Sequence, residues 1–296
     1  MNSQSGMIAI VGRPNVGKST LMNRILGEKL SITSRKPQTT RHRILGIKTI
    51  GSAQFVYVDT PGIHSNSESA MNRYLNRAAT SGLDDVDIVI FVVDGEKWSS
   101  EDELVVEHLR NLEAPVVVVI NKVDRVAQKD QLLPLIEKLS ARMEFNAIIP
   151  LSALKGHGVD NLEQKLKELV PAGAHYYEED QITDRSERFL VAERIREKLT
   201  RQLGQELPYA LTVEIEQFKE TGKLTEIAAV IWVERKGQKG IVIGNKGSRL
   251  RTVGQESREE LEELLGRKIF LQLWVKVREG WSDDDRALQS LGYRES

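Results

Sequence analysis

The sequence predicts two successive domains, an α/β unit built on a mostly parallel but mixed sheet with helices on both faces, and a smaller α+β unit behind it. Three observations carry this. From Met7 to about Val170, short β-branched runs alternate with helical stretches, the signature of β-α-β units around a parallel sheet. Around Pro171 to Ile182 the pattern lapses into PAGAHYYEEDQI, with Pro, Gly and a small acidic cluster but no apolar period. Beyond it apolar segments return in a different order, helix-strand-strand-helix-helix-strand. The predicted boundaries are 1–172 for the first domain, 173–183 for the linker, 184–281 for the second domain and 282–296 for a C-terminal tail.

In the first domain MIAIV reads as the opening strand and Lys18 to Leu26 as the helix that follows it. RILGIKTI and AQFVYVD are joined by Gly51-Ser52, a two-residue connection with Gly first, which suits a type II′ hairpin and an antiparallel edge pair. DIVIFVVD, PVVVVIN and AIIPLS supply the remaining strands. In the second domain Asp184 or Ser186 is placed to cap a helix whose Phe189, Ala192, Ile195, Leu199 and Leu203 recur at three- and four-residue spacing. ALTVEIEQF and EIAAVIWVE then read as strands, IVI as strand-like, Ser248 to Leu265 as helical and KIFLQLWVKV as a last strand. Arg194, Arg196, Lys198 and Arg201 interleave with Glu193 and Glu197 and read as a solvated helix face. Trp232, Trp274 and Trp281 read as core or junction residues, because strands rich in aromatics usually bury them.

Composition narrows the function classes. The 296 residues carry 42 Lys plus Arg against 43 Asp plus Glu, so nucleic-acid contact has to be a local patch. Cysteine is absent, which excludes disulfide frameworks, thiolate metal sites and cysteine catalysis, and makes a reducing cytoplasm the default. The five histidines show no zinc-ligand spacing. The longest apolar runs fall far short of the roughly 20 residues that span a bilayer. The first dozen residues lack a basic region and a cleavage site, so no secretion signal is expected.

Gly12-Arg13-Pro14-Asn15-Val16-Gly17-Lys18-Ser19, followed by Thr20, matches G-x-x-x-x-G-K-[ST] and stands between a strand and a helix start, where the motif's physics requires it. Backbone N–H groups there can turn around phosphate oxygens, Lys18 can bridge the outer phosphates and Ser19 can hold Mg2+. Asp59-Thr60-Pro61-Gly62 ends a strand, placing a carboxylate within reach of Mg2+ through water and the Gly62 N–H near a γ-phosphate. Asn121-Lys122-Val123-Asp124 and Ser152-Ala153-Leu154-Lys155 close two more strands on the same rim. An Asp124 carboxylate can accept both N1–H and N2–H of guanine, which selects GTP and GDP over adenine nucleotides. Lys122 can cover the base, Asn121 can tie the loops together and the Ala153 N–H can face O6. The polar stretch KPQTTRHR suits a loop that orders with γ-phosphate and Mg2+; Thr40 is favoured as the threonine that ligates the metal, with Thr39 the alternative. Ile63 stands where signalling GTPases place a water-orienting glutamine, so intrinsic hydrolysis should be slow. His64 reads as a solvent-facing loop residue. Asn15 could shape the loop, or help hold a monovalent cation, K+, beside the phosphates. The catalytic set expected is therefore Lys18, Thr40, Gly62 and Asn15, with Ser19, Thr40 and Asp59 around Mg2+.

The stretch RKGQKGIVIGNKGSRLR, from Arg235 to Arg251, carries six basic residues and no acidic one. Gly244-Asn245-Lys246-Gly247 forms a G-x-x-G before a helix, the arrangement by which a type II KH module clamps single-stranded RNA. The RNA-binding residues expected are Arg235, Lys236, Lys239, Ile241, Ile243, Gly244, Asn245, Lys246, Gly247, Arg249 and Arg251.

GRPNVGKSTLMNRI, KPQTTRHRI, DTPGIH, NKVD, SALKG, VIGNKG and the WVKVREGWSDDDRALQSLGY tail together resemble the bacterial Era GTPases over nearly the whole chain. The resemblance implies an α/β P-loop GTPase domain followed by an α+β type II KH domain. It also implies binding to the 3′ end of 16S rRNA and the 30S subunit during ribosome assembly, a monomer, and weak peripheral contact with the inner face of the cell membrane. An RNA-binding adaptor with negligible turnover is the alternative.

Overall fold

A computed structural model of the chain describes residues 3–34, 36, 39–62, 69–83, 85–204 and 210–293. Two compact units emerge. The first draws on residues 1–31, 40–67 and 75–184, and the second on 32–39, 68–74 and 185–296.

In the first unit β1 (Gln4–Val11), β2 (Ile44–Ile50), β3 (Ala53–Asp59), β4 (Ile88–Asp94), β5 (Val116–Asn121) and β6 (Ala147–Pro150) form one sheet in the order β2-β3-β1-β4-β5-β6. All pairings are parallel except β2 with β3. That exception is the expected hairpin: Gly51 has φ of +59° and Ser52 does not have a positive φ, as a type II′ turn demands. The central strands are β-branched and buried on both faces, as parallel strands under helices must be. Val89, Phe91, Val118 and Ile120 meet Val105, Val106 and Leu109 of α3 (Ser100–Leu109) and Leu139 of α4 (Leu133–Ser140). On the other face Ile8, Ile10, Ile90 and Val119 are equally buried, with Leu21 and Ile25 of α1 (Lys18–Leu26) and Leu162 and Leu166 of α5 (Val159–Leu169).

Helix α1 spans the predicted residues for local reasons. Gly17 and Gly27 both adopt the left-handed conformation that starts and stops it, and the Gly27 N–H returns to the Asn23 carbonyl at 3.1 Å. The stretch predicted as a linker is bonded along the sheet edge. Tyr176 and Tyr177 N–H groups donate to Gln54 Oε1 at 2.8 and 3.0 Å, and Thr183 Oγ1 donates to the Leu45 carbonyl at 2.7 Å. The Ile182 carbonyl accepts from Ile47 N–H, so this segment covers part of the otherwise open β2 edge.

The second unit runs α6 (Glu187–Gln202), β7 (Leu211–Thr221), β8 (Leu224–Val233), α7 (Lys236–Ile243), α8 (Ser248–Leu265) and β9 (Lys268–Val277), the order expected. Helix α2 (Ala70–Ser81) begins in this unit as well. The sheet order is β7-β8-β9, with β8 and β9 parallel. Ser186 caps α6, accepting from Phe189 N–H at 3.4 Å.

Three expectations change here. IVI is not a strand: Ile241, Val242 and Ile243 form the last turn of α7, where Val242 alone is fully buried. Of the α6 charges read as a solvated face, only Arg201 is exposed. Glu193, Arg194, Arg196 and Glu197 are buried, because Thr33, Lys36, Thr39 and α8 lie against that helix. Arg196 makes a fork to Glu193 at 2.7 Å through two nitrogens and reaches the Thr39 carbonyl at 2.5 Å. Burial alone would lower the Arg196 pKa, but Glu193 and Glu197 hold it raised. Lys36 donates to the carbonyls of Thr200 and Leu203 at the C-terminal end of α6, the negative end of its dipole. Trp274 is 43% exposed and Trp232 half-buried, so of the three tryptophans only Trp281 is core. Within the predicted tail, α9 (Asp285–Ser290) is capped by Asp284, and buried Tyr293 stacks on Trp281 and hydrogen-bonds Thr212 at 2.9 Å.

Candidate functional site

Because β1, β3, β4, β5 and β6 are parallel, their C-terminal ends share one rim, and the four sequence motifs of the first unit meet there. Register aligns Ile10 with Asp59 and Asp94 with Asn121. The phosphate loop is tightly interlocked. A Cβ at Gly12 would strike the Val92 carbonyl and one at Gly17 the Asn121 amide, while Gly62 lies so close to Pro14 that a Cβ would come to 2.8 Å. Asn15 is exposed with φ of +63°, a strained value for a residue other than glycine. Arg13 is drawn away from the loop by Asp102, at 3.0 Å.

Lys18 is buried, and its Nζ donates to the Gly12 and Arg13 carbonyls at 2.8 and 3.0 Å. Burial lowers its pKa to about 8, with Asp59 pulling upward. Asp59 is fully buried, and neither carboxylate oxygen has a hydrogen-bond partner among the described residues. Burial pushes its carboxyl pKa up, while Lys18 and the nearby hydroxyls of Ser19, Ser31 and Thr40 act in the opposite direction. Thr40 Oγ1 stands 2.9 Å from Ser19 Oγ. Thr39 Oγ1 instead donates to the Lys36 carbonyl at 2.6 Å. Two adjoining hydroxyls beside a buried, unpartnered carboxylate form a donor set of hard oxygens, which fits Mg2+. Thr60 is buried and tied to the Ile10 carbonyl at 3.1 Å, fixing the strand end that carries Asp59.

At the far end of the rim Asn121 joins three loops. Its Nδ2 donates to the Val16 carbonyl at 2.8 Å, and its Oδ1 accepts from Lys122 N–H at 2.7 Å and Ala153 N–H at 2.9 Å. The Ala153 N–H is therefore engaged with Asn121, and a base O6 would have to share or replace that bond. Lys122, at φ of +65°, spans from the Asn15 carbonyl at 2.6 Å to Asp94 at 2.7 Å. Ser152 Oγ donates to Asp124 Oδ1 at 2.5 Å, holding an exposed carboxylate in a fixed orientation. Leu154 is 61% exposed beside it.

In the second unit the G-x-x-G is a turn between α7 and α8. Gly244 and Gly247 both have φ of +77°, and Lys246 lies at +48°. A Cβ at Gly244 would come to 2.8 Å from that of Arg249. Arg235, Lys236, Lys239, Asn245, Lys246 and Arg251 are exposed, as is Ile241, whereas Ile243 and Arg249 are half-buried.

Residues 7–122 match the family described as 50S ribosome-binding GTPase, and residues 206–282 match the KH domain. GTPase Era of Marinobacter nauticus is 58% identical over 98% of this chain and 95% of its own length. GTPase Era of Azotobacter vinelandii is 57% identical over 98% and 97%. The chain belongs to the Era GTPase family. Two solved Era structures, each 38% identical, superpose with TM-scores of 0.96 over 99% of this chain and 100% of theirs. One is Era with MgGDPNP and nucleotides 1506–1542 of 16S ribosomal RNA, the other a point variant of Aquifex aeolicus Era bound to GDP.AlF4-.

In this Era-family chain one rim carboxylate escapes sequence reasoning. Asp94 closes β4 in register with Asn121 and anchors Lys122; although burial favours its neutral form, the Lys122 hydrogen bond helps hold its pKa down. Its position at the end of DIVIFVVD is the available signal. Ile63 and His64 lie outside the described residues.

Proposed function

We propose that this GTPase is a nucleotide-dependent switch that binds the 3′ end of 16S rRNA and the 30S subunit through residues 184–281, and acts in 16S rRNA processing and small-subunit assembly. The observation that carries this reading is the pairing, in one chain, of a complete guanine-nucleotide rim at residues 1–172 with an exposed basic G-x-x-G. Asp124, held by Ser152, accepts the guanine N1–H and N2–H, and the Lys122 stem covers the base. Gly12 to Thr20 cradle the phosphates, and Lys18 leaves its loop carbonyls for the β/γ oxygens. Ser19 and Thr40 hold Mg2+, with Asp59 reaching it through water; bound there, the ion neutralises charge on the phosphates. Thr40 rather than Thr39 takes this role, since its hydroxyl already faces Ser19. Gly62 N–H meets the γ-phosphate, and Asn15 would help hold a K+ ion, which would supply charge that an arginine would otherwise bring.

Lys236, Lys239, Lys246, Arg249 and Arg251 hold the RNA backbone, with Ile241 against a base. The protein works as a monomer in the cytoplasm, with peripheral contact at the inner membrane face; no helix among the described residues is long and apolar enough to cross a membrane.

GTP hydrolysis in potassium and in sodium buffer, each with and without single-stranded RNA copied from the rRNA 3′ end, tests the coupling. Stimulation by RNA that disappears in the Gly244→Asp/Gly247→Asp double variant is the expected result. RNA affinity identical with a GTP analogue, with GDP and without nucleotide would refute the switch.

A further inference from the structure

The loop at the base end of the site is held by a residue outside the four nucleotide motifs. Arg24, in the last turn of α1, donates from Nε to the Ala153 carbonyl at 3.1 Å and from Nη2 to the Leu154 carbonyl at 2.6 Å. A peptide unit is planar and trans, so its carbonyl and the following N–H point in opposite directions. Fixing the Ala153 carbonyl on Arg24 therefore aims the Leu154 N–H away from α1, and fixing the Leu154 carbonyl does the same for Lys155 N–H. The Lys155 N–H is met by Ser152 Oγ at 3.2 Å, whereas the Leu154 N–H makes no hydrogen bond among the described residues. Gly156, at φ of +80°, turns the loop back beside the Arg24 guanidinium.

We propose that Arg24 is a positioning residue for guanine specificity: it orients the peptide between Ala153 and Leu154 so that the loop presents N–H donors to the base O6. The assignment rests on the guanine reading of the rim. It also links the two ends of the nucleotide, because α1 begins at Lys18 in the phosphate loop and ends at the arginine that grips the base loop. The guanidinium donates to the Ala153 and Leu154 carbonyls, so its effect passes through them. A planar fork can serve both; a lysine ammonium is a point donor with a different reach.

The test compares GDP with 6-thioguanosine diphosphate, which keeps N1–H and N2–H but has a weakly accepting sulfur in place of O6, by titration calorimetry on the full chain. Loss of a charge-assisted hydrogen-bond pair at a partly exposed site should weaken GDP about 10-fold in Arg24→Ala, while the analogue changes less than about two-fold. Arg24→Lys should fall between wild type and Arg24→Ala for GDP. Equal losses for both nucleotides would mark a general disturbance of the site and overturn the proposal, as would undiminished GDP binding. Asp124→Asn, measured alongside, separates the two levels: unchanged GDP affinity there would sink the guanine reading itself, whatever Arg24 does.

Discussion

Two glycine-bearing turns lead into helices in this chain, and they are built on opposite principles. The phosphate loop before α1 is closed on itself: added side-chain atoms at Gly12 or Gly17 would collide with Val92 or Asn121, and Lys18 is buried against its own loop carbonyls. The Gly244 to Gly247 turn before α8 is tight at Gly244 but open at its second glycine and tip. A Cβ at Gly247 would meet nothing within 4 Å, and Asn245 and Lys246 stand in solvent. A loop that must enclose small, highly charged oxygens gains from donors fixed in advance, since little reorganisation remains to be done on binding. A turn that must accept a polymer backbone cannot be enclosed, and relies on charge and shape at an exposed surface.

That contrast can be broken most sharply at the glycines themselves. Gly17→Ala places a Cβ at φ of +105° against the Asn121 amide, and should weaken GDP by on the order of 100-fold or more, read by calorimetry. Gly247→Ala, with open space around it, should cost only the left-handed backbone penalty, ~1–2 kcal/mol of stability, with the thermal midpoint reporting it. Comparable losses of binding and stability at the two glycines would erase the distinction between closed and open loops.

Lys18 gives the next effect. Its folded pKa is lowered to about 8 from an ordinary value of 10.5, so below pH 8 both folded and unfolded chains carry the proton and the burial penalty is constant. Between about 8 and 10.5 the unfolded chain holds a proton the folded chain has released. Stability of the nucleotide-free protein should therefore rise with pH across that window, by roughly 3 kcal/mol in total, and level off above it. Lys18→Met should remove that contribution to the pH dependence, as denaturant titrations at several pH values would reveal. A retained rise of the same size would mean that Lys18 is not the group responsible.

The smallest effect belongs to the open turn. Lys246→Ala should weaken RNA binding about equally for all sequences and reduce the magnitude of the salt slope by about one. An unchanged slope would place Lys246 off the phosphate track.

Much of this architecture is legible in the residues. The strands of the first unit are continuous β-branched runs, helix α1 is bracketed by Gly17 and Gly27, and each nucleotide motif follows a strand, so topology alone carries them to one rim. The second unit's element order is equally readable, although IVI looks like a strand because three consecutive apolar β-branched residues carry no period that separates strand from helix.

What the sequence determined by itself was which segments are apolar, where they begin and end, and which chemically distinctive residues stand at their ends. The tertiary structure decided what lies opposite each face. A pattern such as ERIREKLTR on α6 is compatible with solvent, and only the approach of Thr33, Thr39 and Glu260 turns most of its charges into a buried network. Thr39 and Thr40 are chemically identical neighbours, and the backbone path alone directs one hydroxyl to Lys36 and the other to Ser19. Arg24 and Asp94 lie outside the four nucleotide motifs, and their roles arise from contacts to residues far away in the chain. Periodicity records the polarity of a surface and says nothing of its partner, because partners are brought together by the packing of whole elements.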